Sequence, residues 1–240
     1  MRSVAVLMLL LPFNAGYALG AEGPRLVKAP VDKVFVPFGF DDNDNVELVV
    51  HGHFASTCYK TGPATAKVDE AAKVITVDAQ AYLYSGVCAQ ALIPFTQSIK
   101  LGVVKQGDYK VVVPDSPQAQ PAVLSIVAAT TTDADESYYA PVEGVALNAT
   151  RNGVRVEGEW PYTFVGCMVM KEIRADVTPG NVVVVRPIAE FTDGPACDSQ
   201  RLSHHFSVEA PLAARLTSGD YLLHARALNG NALNRFTLVD

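Results

Sequence analysis

The chain has 240 residues, of which 49% are hydrophobic and 18% charged, enough apolar content for packed cores and too apolar a mixture for a disordered chain. Its 25 acidic side chains outnumber 19 basic ones, a balance that repels phosphate backbones and anionic headgroups, so nucleic-acid and membrane-surface partners are not expected.

In chain order, Arg2, the apolar run Val4 to Leu11 and the small-residue stretch Ala18-Leu19-Gly20 read as a secretory signal over residues 1–20. Its removal leaves 18 basic against 25 acidic residues, a net charge of −7. The run is shorter than the ~20 apolar residues a membrane-spanning helix needs, and no later stretch comes nearer. With the first cysteine at Cys58, no lipid anchor is expected, and the product is expected in the periplasm or outside the cell.

A strand is expected over Lys33-Val34-Phe35-Val36, followed by the acidic run Asp41-Asp42-Asn43-Asp44-Asn45. Dense oxygen ligands on a loop suit calcium, with Asp41, Asp42 and Asp44 as candidates, although the run lacks the spacing of an EF-hand. The plainer reading is a solvated turn, which Asn and Asp accommodate well. The strand starting at Val46 then carries His51 and His53, whose spacing of two places both imidazoles on one face. That pair could hold copper or zinc, with His204, His205, Met168 and Met170 as further soft ligands; the alternative is packed or surface histidines.

Cys58 and Cys88 are 30 positions apart, as are Cys167 and Cys197. In an oxidising compartment two disulfides are expected, and of the three possible connectivities the equal spacing favours Cys58 with Cys88 and Cys167 with Cys197. The spacing also points to a repeated unit. Val46-Glu47-Leu48-Val49-Val50 corresponds to Val154-Arg155-Val156-Glu157, and Lys73-Val74-Ile75-Thr76-Val77 to Asn181-Val182-Val183-Val184-Val185. Likewise Ile99 to Val103 corresponds to Phe206 to Ala210, and Gly107-Asp108-Tyr109 to Gly219-Asp220-Tyr221. In each copy the glycine and aspartate make a turn and the tyrosine opens an apolar strand, with its ring inward and its hydroxyl tied back to the turn. Closing strands are expected at Ala122 to Val127 and Asn234 to Val239, and the polar run Thr130 to Ser137 reads as an exposed linker.

Short β-rich runs between turn residues, without sustained helical periodicity, predict an all-β chain. The two copies together resemble the tandem immunoglobulin-like modules of exported bacterial proteins. The resemblance implies two tandem immunoglobulin-like β-sandwich domains, each with one internal disulfide: residues 21–128 and 139–240, joined by a linker over 129–138. The sequence contains no Gly-x-Ser-x-Gly elbow, no His-Glu-x-x-His pair and no phosphate-binding glycine loop. The expected function is therefore a non-catalytic binding or structural module without a cofactor, acting on another protein or a surface polymer. The alternatives keep copper at His51 and His53, or calcium at the acidic run. Phe35, Phe38, Phe40 and Phe54, with Trp160, Tyr162 and Phe164, are expected in the cores, or else as an exposed aromatic platform.

Overall fold

The computed structural model describes residues 23–162, 167–192 and 203–240. The first half contributes β1 (Arg25–Lys28), β2 (Val31–Phe35), β3 (Phe40–Asp41), β4 (Val46–Ser56), β5 (Tyr59–Asp69), β6 (Val74–Leu83), β7 (Gln90–Gly102), β8 (Gly107–Val112) and β9 (Ala122–Val127). The second contributes β10 (Tyr138–Tyr139), β11 (Val142–Leu147), β12 (Gly153–Glu159), β13 (Met168–Thr178), β14 (Val182–Phe191), β15 (His205–Pro211), β16 (Gly219–Ala227) and β17 (Asn231–Val239). The chain is all-β, as its β-branched runs predict, and among the described residues no helix is long and apolar enough to cross a membrane.

Both halves are wired alike. In the first, β2-β4-β7 form one sheet and β1-β6-β8-β9-β3 the other, with β5 also on β6. In the second, β11-β12-β15 face β10-β14-β16-β17, with β13 on β14. One parallel pair is repeated, β6 with β8 and β14 with β16, while the parallel pair of β3 with β9 belongs to the first half. Local chemistry repeats too. A Cβ on Gly52 would fall on the Pro30 carbonyl oxygen and 2.8 Å from the Phe95 ring, and one on Gly158 on the Pro141 carbonyl oxygen and 2.7 Å from Phe206. Both glycines are thus required by close approach of a neighbouring backbone.

The Gly-Asp-Tyr turns take the predicted form. Gly107 and Gly219 have φ of +142° and +147°, which L side chains rarely adopt. Tyr109 is buried and its hydroxyl donates to the Lys105 carbonyl at 2.9 Å, while the Tyr221 hydroxyl lies 3.2 Å from Thr217 Oγ1. In each case the partner is four residues upstream. Cys58 and Cys88 form a disulfide with Cα atoms 5.4 Å apart. Cys167 is also disulfide-bonded, and its expected partner Cys197 lies outside the described residues.

Each half has its own core, one around Leu48, Ile75, Tyr109 and Leu124, the other around Val156, Val183, Leu223 and Val239. A third cluster joins them: Phe35 and Val49 of the first half meet Val182, Val184, Leu222 and Phe236 of the second. The four sheets therefore stack as four layers, and the inner two are covered on both faces. This explains why β4, β14 and β16 contain runs of consecutive buried residues where the outer strand β9 alternates. Residues 48 and 50 point into one core and 49 into the seam, as strand periodicity requires.

Candidate functional site

The seam face of β4 carries Glu47, Val49, His51 and His53, and that of β16 carries Asp220, Leu222, His224 and Arg226. Apolar contact at the centre is thus flanked by charged groups within the junction. On one flank, His224 Nδ1 lies 2.9 Å from Asn234 Oδ1 and 3.4 Å from Glu47 Oε1. The Asn234 amide donates to Glu47 Oε1 and, at 2.9 Å, to Ser98 Oγ. Burial opposes ionisation of Glu47, but hydrogen bonds from His224 and Asn234 outweigh it and hold the carboxyl below its ordinary range.

Beside this chain lies Arg226, only 5% exposed. Its guanidinium donates to the Gly39 carbonyl, pairs with Asp44 at 3.3 Å and Asp135 at 3.6 Å, and stands 4.8 Å over the Phe40 ring. Desolvation pushes the Asp44 carboxyl up, partly offset by Arg226. Asp135 is pushed up to about 6, first by burial and then by Asp44, against the pull of Arg226. Glu136 is raised by its hydrogen bond with Asp41 and by burial. More carboxylates gather here than one guanidinium neutralises.

A cavity of about 240 Å³ opens at this junction, lined by Phe40, Asp44, Glu47, Asp135, His224 and Arg226 among others. Three buried atoms of its lining side chains have no hydrogen-bond partner: Asp44 Oδ1, His224 Nε2 and Arg226 Nε. A second, wider cavity of about 690 Å³ abuts it through Asn45, Asp135 and Asn229 and runs to Tyr138 and Phe191.

The acidic run is a turn, as expected, but not a solvated one, because Asp41 and Asp44 are buried. Asp41 Oδ1 accepts from Asn43 N, and Asp44 Oδ2 from Asp41 N. Asp42 accepts from the Ala129 amide at 2.8 Å and Asn43 donates to the Thr131 carbonyl. The run clamps the segment that joins the halves, and through Asp44 it reaches Arg226. His51 and His53 do share a face, with ring centroids 5.0 Å apart. His51 is buried, stacked 3.9 Å from Phe236, with Nδ1 3.2 Å from Thr96 Oγ1. Its burial and His53 lower its pKa. His53 Nδ1 pairs with Asp32 at 2.8 Å. Among the described residues, no group of three or more His, Cys, Asp or Glu side chains is arranged to hold a metal ion.

Of the aromatic residues, Phe35, Phe40, Phe54 and Trp160 are buried, Phe38 and Tyr162 are exposed, and Phe164 lies outside the described residues. Sequence reasoning passed over Glu47, Asp135, His224, Arg226 and Asn234. The available signal was a charge inside an apolar strand, as in Val46-Glu47-Leu48 and Ala225-Arg226-Ala227.

Residues 48–122 match the family model of the ORF11 beta-sandwich domain. The match runs from β4 to the first residue of β9 and includes the Cys58–Cys88 disulfide, so it supports a β-sandwich for the first half. It contains His51 and His53 and excludes Asp44 and the whole second half of the seam. No curated protein and no solved structure matches the chain.

Proposed function

We propose that the chain is an exported, non-catalytic binding or structural module that acts through contacts with another protein or a surface polymer. Its parts are a signal over residues 1–20 and two tandem immunoglobulin-like domains, 21–128 and 139–240, with residues 129–138 between them. A periplasmic or extracellular address agrees with the disulfide at Cys58 and Cys88. The observation that carries the reading is the use made of the buried ionisable groups. Glu47, His224, Asp44 and Arg226 are engaged with partners across the junction, where they hold one sandwich against the other. Outward contact surface remains at exposed Tyr84, Val87 and Leu92 beside the Cys58–Cys88 disulfide, and at exposed Tyr138, Tyr162 and Phe191 in the second half.

Photocrosslinking side chains placed at Tyr84, Leu92, Tyr138 and Tyr162 in the exporting host test the reading. A recurrent adduct with one protein or polymer is expected from at least one position. Turnover of ester, peptide or glycan substrates that disappears in His224→Ala would replace the module with an enzyme.

A second reading, a copper protein using His51 and His53, is favoured by their edge-to-face rings on one face of β4. Copper titration tests it: binding no tighter than ~10 μM, about 7 kcal/mol, removes it.

A further inference from the structure

We propose that the end of the first sandwich at the Cys58–Cys88 disulfide docks on a phospholipid surface, its apolar side chains entering the acyl boundary and Arg25 and Lys60 meeting the headgroup phosphates.

No ionisable acid or base interrupts the sequence from Ala79 to Ile99, where the chain's average of 18% would place about four charges, and none except the disulfide cysteine and a tyrosine occurs from Phe54 to Tyr59. The fold brings both stretches to one end. The turn from β4 to β5 and the loop from β6 to β7 each cross between the two sheets there, and the disulfide ties one to the other. Their side chains stand outward: Val87 is fully exposed, Leu92 is 76% exposed, and Tyr84, Tyr82 and Leu26 are exposed beside them. Tyr82 and Leu26 are cross-strand neighbours on one sheet, Leu92 is on the other, and Val87 is on the loop between, so the end is apolar on both sides. An apolar patch of this kind marks an interaction site. An uncharged valine at the tip of the loop, with tyrosines before it along β6, is the order a bilayer boundary favours, because amphipathic rings settle at headgroup level while aliphatic chains go deeper.

The charges around the end decide the partner. Lys60 lies opposite Tyr82 and Arg25 opposite Leu83, so two cations flank the apolar end. Neither forms an ion pair among the described residues, whereas the carboxylates farther along the strands are engaged, Asp78 and Asp115 with Lys28 and Asp32 with His53. Glu22, three residues before Arg25, lies outside the described residues. The negative charge of the chain as a whole opposes an anionic surface, but at physiological salt a charge is felt over only ~8 Å. Asp78 stands four residues from Tyr82, roughly 13 Å along β6, so a headgroup layer meets the two cations before the acidic remainder. Long basic side chains lay their stems on apolar surface and hold their heads at the phosphates. A protein partner would need an apolar site ringed by acids; a bilayer offers apolar interior and phosphate in the order in which this end presents their complements.

The inference goes beyond the module reading and leaves the surface at Tyr138 and Tyr162 for the contact with a protein or polymer. The test is co-sedimentation of the oxidised, signal-free protein with vesicles of equal parts phosphatidylcholine and phosphatidylglycerol. Saturable binding is expected, with half of the protein bound at about 1 mM lipid or less. Val87→Asp combined with Leu92→Asp should weaken it by about tenfold or more while circular dichroism and thermal unfolding stay unchanged, since both positions face solvent. Arg25→Glu combined with Lys60→Glu should weaken it by about tenfold and flatten its dependence on salt. No sedimentation of the unsubstituted protein up to about 5 mM lipid overturns the proposal, as does binding that either double variant leaves unchanged. A protein adduct at Tyr84 and Leu92 in the exporting host, without sedimentation, assigns this end to a protein and overturns the lipid proposal while supporting the module reading. Sedimentation retained without any adduct at the four crosslinking positions overturns the module reading alone.

Discussion

Asp135→Asn is expected to stabilise the protein at pH 7 and to do little at pH 4. The Asp135 carboxyl is pushed up from its ordinary 3.8 to about 6 by burial and by Asp44, with Glu136 and Asp41 adding to the repulsion and Arg226 opposing it. A folded state that holds its proton more tightly than the unfolded chain is favoured below pH 3.8 and loses that advantage as pH rises to about 6. A displacement of about two pH units corresponds to ~3 kcal/mol. The side chain keeps 21% of its exposure, and solvent screening there reduces the expected net gain in the amide to ~1–2 kcal/mol. Urea unfolding of both proteins at pH 4, 5, 6 and 7 measures it. Taking the difference between the two proteins at each pH cancels Glu47 and His51, whose own shifts they share. The stability gap should open between pH 4 and 6 in favour of the amide and then stay level. A gap that is independent of pH, or an amide that is weaker at pH 7, would mean that the pair with Arg226 outweighs the crowding, and the reasoning would fail.

Gly52→Ala and Gly158→Ala should each destabilise by about 3 kcal/mol or more, since the new methyl meets a proline carbonyl and an aromatic ring in both halves; thermal unfolding that tolerates one but not the other would break the equivalence of the halves. Leu222→Ala empties the centre of the seam and should cost roughly 2–5 kcal/mol, with any early unfolding phase confined to loss of contact between halves, as read by hydrogen exchange at β4 and β16. Tyr109→Phe removes a buried donor and strands the Lys105 carbonyl, for a loss of about 1–2 kcal/mol in denaturant unfolding; Tyr221→Phe, whose hydroxyl meets the Thr217 hydroxyl and not a backbone carbonyl, should lose less.

The repeat was legible because it rests on short-range signals. Equal cysteine spacing, the Gly-Asp-Tyr turns and the matched β-branched runs each reflect one local constraint, and the paired sheets reproduce them. Two further signals were present and unread: Ala29-Pro30-Val31 and Ala140-Pro141-Val142 place the proline carbonyls under Gly52 and Gly158. The junction was not legible. Val182 to Val185 reads equally well as a strand buried on two faces by its own sandwich or by a neighbour, since periodicity records burial and not what covers it. For the same reason the acidic run looked solvated: the partner of Asp44 is Arg226, 182 positions away, and no local pattern records so distant a contact. His51 and His53 share a face, as their spacing of two requires, but the Phe236 ring on that face belongs to the other half.

The composition of the seam bears on why charge was placed there at all. An apolar contact between two flat sheet faces, Phe35 and Val49 against Val182, Val184, Leu222 and Phe236, is non-directional, and strands of period two offer similar contact after a slip along their length. Buried ion pairs are a poor source of net stability, because the desolvation of each charge offsets most of the attraction. They are demanding about geometry, and a partner left unpaired costs about 3–5 kcal/mol. A slip of two residues would separate Glu47 from both His224 and Asn234, and Arg226 from both Asp44 and the Gly39 carbonyl, side by side on one flank of the apolar centre. The two polar clusters therefore act as register pins for two otherwise interchangeable faces, and the cavity lies beside those pins, where the fit between halves is most closely set.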